Sequence, residues 1–319
     1  MKIQPLFLVT FVAMISKYKY HILLHLIIFM WGFTGILGKL IHLDAFYIVW
    51  HRVIIAAASL GIALFFLKKS LRIPSGKQLL KILGVGIIVV LHWMTFFKSI
   101  QLSTASLGIL CLSTTTIHVT WLEPLVMTRR FSIVEFLLGL IVIYGIYFVS
   151  GDFKNNDYEA LAYGLCSALF AALFSVFNAK LAQDTPSYQI TFYEMVISMV
   201  FLTIVLGFQG ELNSKLFEME VSDVLWLLFL GILCTSFAFL ATIEVVKRLG
   251  AFTVSLSVNL EPVYTILLAI AILNENEVLG THFYTGSGII VLVVVANAVI
   301  KYYMKNKTPE EQITKDLSL

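Results

Sequence analysis

Apolar positions in this chain come in ten blocks of nearly membrane-spanning length, at about 21–40, 45–67, 79–99, 103–127, 133–150, 159–180, 188–209, 222–243, 250–273 and 281–303. They follow neither the two-residue alternation of half-buried strands nor the narrow apolar stripe of a soluble helix. A helix rises about 1.5 Å per residue, so roughly 20 apolar residues cross a hydrocarbon core about 30 Å thick. Connections such as Ile41 to Asp44, Thr128 to Ser132 and Asp152 to Tyr158 are too short to hold an inserted domain. The pattern predicts an all-α polytopic membrane protein with ten transmembrane helices.

The blocks before and after about residue 150 resemble one another at an offset of 141 to 147 residues. Gly38-Lys39-Leu40 corresponds to Ala179-Lys180-Leu181, while Phe131 and Gly139 correspond to Val278 and Gly286. Five crossings per half put the second half upside down relative to the first. The expected organisation is two inverted five-helix repeats, 21–150 and 151–303, with a segment 1–20 before them and a polar, mobile cytoplasmic tail 304–319 after them. Inverted repeats of this kind suit a cavity that opens alternately to either side.

Composition agrees: of 319 residues 59% are hydrophobic and 13% charged, and the mean hydropathy is +0.92. Of the 22 Lys and Arg, 17 fall on one side when both termini are placed together. By the bias of basic residues toward cytoplasmic loops, that side is the cytoplasm of a cell inner or plasma membrane. The net charge of +3 thus reports orientation in a lipid bilayer, not nucleic-acid binding. The run Ile3 to Ile15 is too short to span, and it reads either as an interfacial helix or as an extension ahead of a start at Met14. Cys111, Cys166 and Cys234 lie in apolar spans without metal-ligand spacing, and no cofactor or metal is expected.

Charges inside spans are costly and generally face a protein interior or a watery path. Arg52 in the second span and Glu194 in the seventh occupy equivalent places, 142 residues apart. They are candidates for a gate or a cross-half ion pair, or each lines its own vestibule. Glu261 lies mid-span before Pro262, which denies the Val258 carbonyl its usual donor and bends the helix. With Ser257 and Thr265 on its face, Glu261 is a candidate for substrate or proton handling, against a purely structural hydrogen-bond network. Asn259 falls on the other side of a straight helix. Cys111, Thr114, Thr115 and His118 form a polar stripe at helical spacing; Thr115 and His118 are substrate-cavity candidates, with a packing role as the alternative. His92 can bind substrate or pass protons, and Trp93 and Phe97 can stack on a planar molecule. Glu123 reads as part of a helix-end network with Arg129 and Arg130.

Several short pieces together resemble the EamA-type drug/metabolite transporters: Trp31-Gly32-Phe33, Arg52, Ser103-Thr104-Ala105, Leu260-Glu261-Pro262-Val263, and Asn274-Glu275 before Gly286. The resemblance covers about 21–303. It implies a ten-helix carrier with a central cavity, often exporting amino acids or other small metabolites, and favours His92, Trp93, Thr115, His118 and Glu261 as cavity residues with Arg52 at a gate. Two departures stand out: Thr115 where the first-half pattern commonly has Pro, which implies a straighter fourth helix, and Glu194 where an Arg is expected. The implied function is secondary transport of a small molecule, with proton or ion coupling open. The sequence has no nucleotide-binding glycine loop for an ATP-driven pump. The rival readings are an integral-membrane transferase acting on lipid and a membrane accessory protein.

Overall fold

A computed structural model describes residues 4–72, 75–128, 130–249 and 251–316. Among these residues the chain is helical throughout, without strands, and its elements follow the ten blocks. Spans one to three are single helices, α1 (Gln4–Leu40), α2 (Ala45–Phe66) and α3 (Gly76–Leu102). The fourth is split into α4 (Ala105–Leu112) and α5 (Thr115–Val126), and the fifth is α6 (Ile133–Val149). In the second half, α7 (Asn155–Leu181) and α8 (Ser187–Phe208) precede an eighth span made of α9 (Val221–Leu228), a π-helical segment (Phe229–Phe237) and α10 (Ala238–Leu249). The ninth is split into α11 (Ala251–Val258) and α12 (Glu261–Leu273), and the tenth is α13 (Thr281–Asp316). Nine spans among the described residues are long and apolar enough to cross a membrane on their own, and the broken ninth completes the ten.

Among the described residues, the first and last spans are extended toward both termini. Helix α1 begins at Gln4 and runs without interruption through the short N-terminal run, and α13 continues to Asp316 through the tail expected to be mobile. Helix starts are fixed by local chemistry. Asp44 accepts from the Phe46 amide at 2.9 Å, Thr104 accepts from Leu107 at 3.0 Å, and Ser75 with Gln78 forms a capping box at α3. Each supplies an acceptor for an amide that the helix cannot satisfy itself.

Packing repeats between the halves. The first span lies on the ninth as the sixth lies on the fourth, and the second lies on the eighth as the seventh lies on the third. The fifth and tenth spans pair across the symmetry. At that last crossing backbones touch: a Cβ on Gly286 would fall 2.5 Å from the Gly145 carbonyl oxygen, and one on Gly145 would fall 2.6 Å from Ile290. Small residues let two helices approach where lipid provides no hydrophobic drive for association. Large apolar side chains such as Phe65, Phe208 and Leu292 are exposed around the bundle, as a lipid-facing surface requires.

Candidate functional site

The two broken helices position the site. In the ninth span, Leu260 N–H turns back to the Ser257 carbonyl at 2.9 Å, and α12 restarts at Glu261-Pro262. Proline fits the first turn of a helix because its missing N–H would have no partner there. The fourth span breaks at Ser113-Thr114 without proline. There, Ser113 and Thr114 amides make tight three-residue bonds to Leu110 and Cys111, each 3.0 Å, and the Thr114 hydroxyl donates to the Cys111 carbonyl at 2.7 Å. A hydroxyl that takes a backbone acceptor competes with the regular helix ladder. The expectation of a straighter fourth helix is therefore corrected. Leu112 and Val258 end their half-helices 146 residues apart, and Thr115 and Glu261 begin theirs at the same spacing, so Thr115 stands opposite Glu261.

Between these breaks lies a cavity of about 500 Å³ lined from both halves. Arg52, His92, Trp93, Thr115, Glu194 and Glu261 all contribute to its wall. The Arg52 guanidinium stacks over the Trp93 ring, 3.8 Å from its centroid, and its Nε donates to Thr235 Oγ1 at 3.0 Å. Thr235 in turn donates to the Leu230 carbonyl, five residues back, at 2.8 Å. The Thr235 hydroxyl thus donates within its own π-helical turn while its oxygen accepts from Arg52, and wide turns of this type are frequent at functional sites. Glu261 is the acidic group that acts electrostatically on Arg52.

Glu194 lies elsewhere on the wall. It is 3% exposed, and its polar neighbour is Asn178 on α7. Arg52 and Glu194 share the cavity without closing an ion pair within 4.0 Å, so the equivalence of their positions in the two halves does not bring the charges together. His92 is held by α7: its Nδ1 lies 3.0 Å from the Ser167 carbonyl and 2.9 Å from Ser167 Oγ, and Ser167 Oγ donates to the His92 carbonyl at 3.0 Å. The carbonyl contact requires that Nδ1 carry the proton. Thr115 donates to the Ala168 carbonyl at 3.3 Å.

The break divides the stripe expected on the fourth span. Cys111 is fully buried and Thr114 is spent on its carbonyl, while Ser113, Thr115, Thr116 and Val119 face the cavity. His118 is absent from the lining and lies beside Trp121, with ring centroids 6.4 Å apart. A helix restarted after a tight three-residue turn at Ser113-Thr114 no longer keeps the phase that placed residues 111 and 118 on one face. The ninth span shows the converse. Thr265, expected beside Glu261, is fully buried and donates to the Gly32 carbonyl of α1 at 3.0 Å, while Asn259 joins Glu261 in the wall because the turn rotates it inward. Thr34, Asn178, Asn297 and Glu135 also line the cavity and were not picked out from sequence. For the two Asn the available signal is a lone amide inside an otherwise apolar stretch. The Glu123 network includes Arg129, which lies outside the described residues. Cys111 and Cys234 are buried free thiols and Cys166 is exposed; no group of His, Cys, Asp and Glu suited to a metal occurs among the described residues.

Comparisons agree with this architecture. A crystal structure of a protein 14% identical in sequence covers 89% of this chain and 99% of its own with a TM-score of 0.63, which shows a shared fold. An uncharacterized transporter from Archaeoglobus fulgidus is 26% identical over 286 residues, 86% of this chain and 95% of that protein. The model of the EamA-like transporter family matches twice, over residues 18–151 and 159–298, once on each half of the bundle. With both repeats matched and the cavity set between them, the chain belongs to the EamA-like transporter family.

Proposed function

We propose that the protein is a secondary carrier that exports amino acids or other small metabolites by alternating access, with no bond-making chemistry. The observation that carries this reading is the meeting of two helix breaks, at equivalent places in opposite halves, on one cavity whose wall includes Arg52 and Glu261. Interrupted helices near the midplane free backbone groups and bring polar side chains to a point where substrate can be released from either side. Glu261, on the first turn of α12, changes its hydrogen bonding or protonation as substrate enters and leaves. Arg52, anchored by Trp93 and Thr235, acts as a gate. The excess of Lys and Arg on the side of the termini supports a cell-membrane orientation with both ends in the cytoplasm.

The test is flux into liposomes containing purified protein, with labelled amino acids, other small metabolites and aromatic cations, with and without a pH gradient. Selective saturable flux is expected, and Glu261→Gln is expected to abolish it while leaving membrane insertion intact. Undiminished flux through correctly inserted Glu261→Gln protein would overturn the role given to that carboxylate. A pH gradient that leaves the rate unchanged would remove proton coupling from the mechanism.

A further inference from the structure

The cavity wall carries polar atoms of opposite need. Arg52 Nη1 is a buried donor without an acceptor, while Glu194 Oε1 and Asn178 Oδ1 are buried acceptors without donors. Glu194 is 3% exposed, and both acceptor residues line the cavity. Among the described residues no Lys or Arg forms an ion pair with Glu194, and Asn178 is its polar neighbour. A carboxylate out of water with an oxygen left over costs several kcal/mol relative to one that is paired, so native proteins rarely retain one without use. The same cavity also carries aromatic rings, Phe174 and Phe239, and aromatic faces attract cations as well as excluding water.

We infer that Glu194 and Asn178 form an ammonium subsite, so that the molecule occupying this cavity carries a protonated amine. Two unpartnered acceptors call for a donor with at least two hydrogens, and a protonated primary amine brings three together with the charge that Glu194 lacks. Position 194 is also where this chain departs from the basic residue that the resemblance leads one to expect. The subsite therefore distinguishes this chain by substrate charge. The inference rests on the cavity being the substrate path of the proposed carrier, yet it can be read without measuring transport.

The experiment is equilibrium binding of tritium-labelled phenethylamine, hexylamine and diaminobutane to the full-length protein in detergent, with phenethyl alcohol as the uncharged competitor. Saturable binding of at least one amine, resisted poorly by the alcohol, is expected. Glu194→Gln should weaken that binding on the order of tenfold, the loss of one charge-assisted hydrogen bond. Glu194→Asp, which keeps the charge, should restore part of it, and melting curves of both variants show whether the fold is intact. Absence of saturable binding for all three amines, or equal binding by wild type and a folded Glu194→Gln protein, would overturn the subsite. Flux of any compound in liposomes without amine binding leaves the carrier reading standing and removes this one. Glu194-dependent amine binding by a protein that moves nothing across liposomes does the reverse.

Discussion

Buried carboxylates serve opposite purposes at the two regions of this bundle. At the end away from the termini, Glu275 is 4% exposed and Asp223 1% exposed, yet both are satisfied. Glu275 accepts from the Ala105 amide at 2.7 Å and the Ser106 amide at 3.1 Å, and Thr104 takes the Leu107 amide, so the first three amides of α4 all have partners. Asp223 accepts from the His42 amide at 3.0 Å and lies 3.3 Å from His42 Nδ1. Each joins a residue of one half to backbone of the other. In the cavity, Glu194 is just as buried and leaves an oxygen unpartnered. A satisfied buried acid fastens two elements; an unsatisfied one is held ready for something that is not part of the chain.

The contrast can be broken most severely at Glu275. Glu275→Ala strands two amides at the buried start of α4 and removes a negative charge from a helix N-terminus, which together cost about 3 kcal/mol. A marked drop in melting temperature in detergent, and a smaller one for Glu275→Gln, is the expected result; a melting curve like that of wild type would show that water or another group replaces the carboxylate. Asp223→Ala comes next. It removes the acceptor for His42 and the side chain that reaches the Glu220 amide at 3.3 Å, for an expected loss of about 2 kcal/mol. If the two latches act independently, the double variant should lose about the sum, since each fastens a different pair of elements. A double variant no worse than Glu275→Ala alone would make them one unit.

The reading from sequence reached different depths in these regions for a physical reason. Blocks of apolar residues and their recurrence at 141 to 147 residues depend on composition along the chain, so the ten spans and the inverted halves were open to inspection. Glu261 and the break beside Pro262 were also visible, because proline acts on its own helix. The break at Thr114 was not, because a hydroxyl that turns on its own backbone looks in sequence like any other threonine. Nor was the role of Glu275, whose letters entered only through a family resemblance: it depends on Asn274 adopting a left-handed conformation, φ 53°, and on amides about 170 residues earlier in the chain. Arg52 and Glu194 stood out as charges in spans, but their opposite signs at equivalent positions suggested a pair. Symmetry in the repeat fixes where the residues sit within each half and says nothing of which neighbours turn toward them. The π-helical turn that gives Arg52 its actual partner Thr235 is a tertiary feature of the same kind.

The smallest effect is also the one with the opposite sign. Glu194→Gln replaces an acid that has an unpartnered oxygen with a neutral amide of nearly the same shape, so it removes a desolvation penalty without removing an ion pair. Melting in detergent should rise, by about 1 kcal/mol in stability, or stay level, while Glu275→Ala and Asp223→Ala lower it. Amine binding should fall in the same Glu194→Gln protein. A gain in stability bought with a loss of binding is the behaviour of a group kept for its ligand. If Glu194→Gln instead destabilises the fold as much as the latch variants do, Glu194 is a structural acid whose partner is water or a shared proton, and the difference between the two regions disappears.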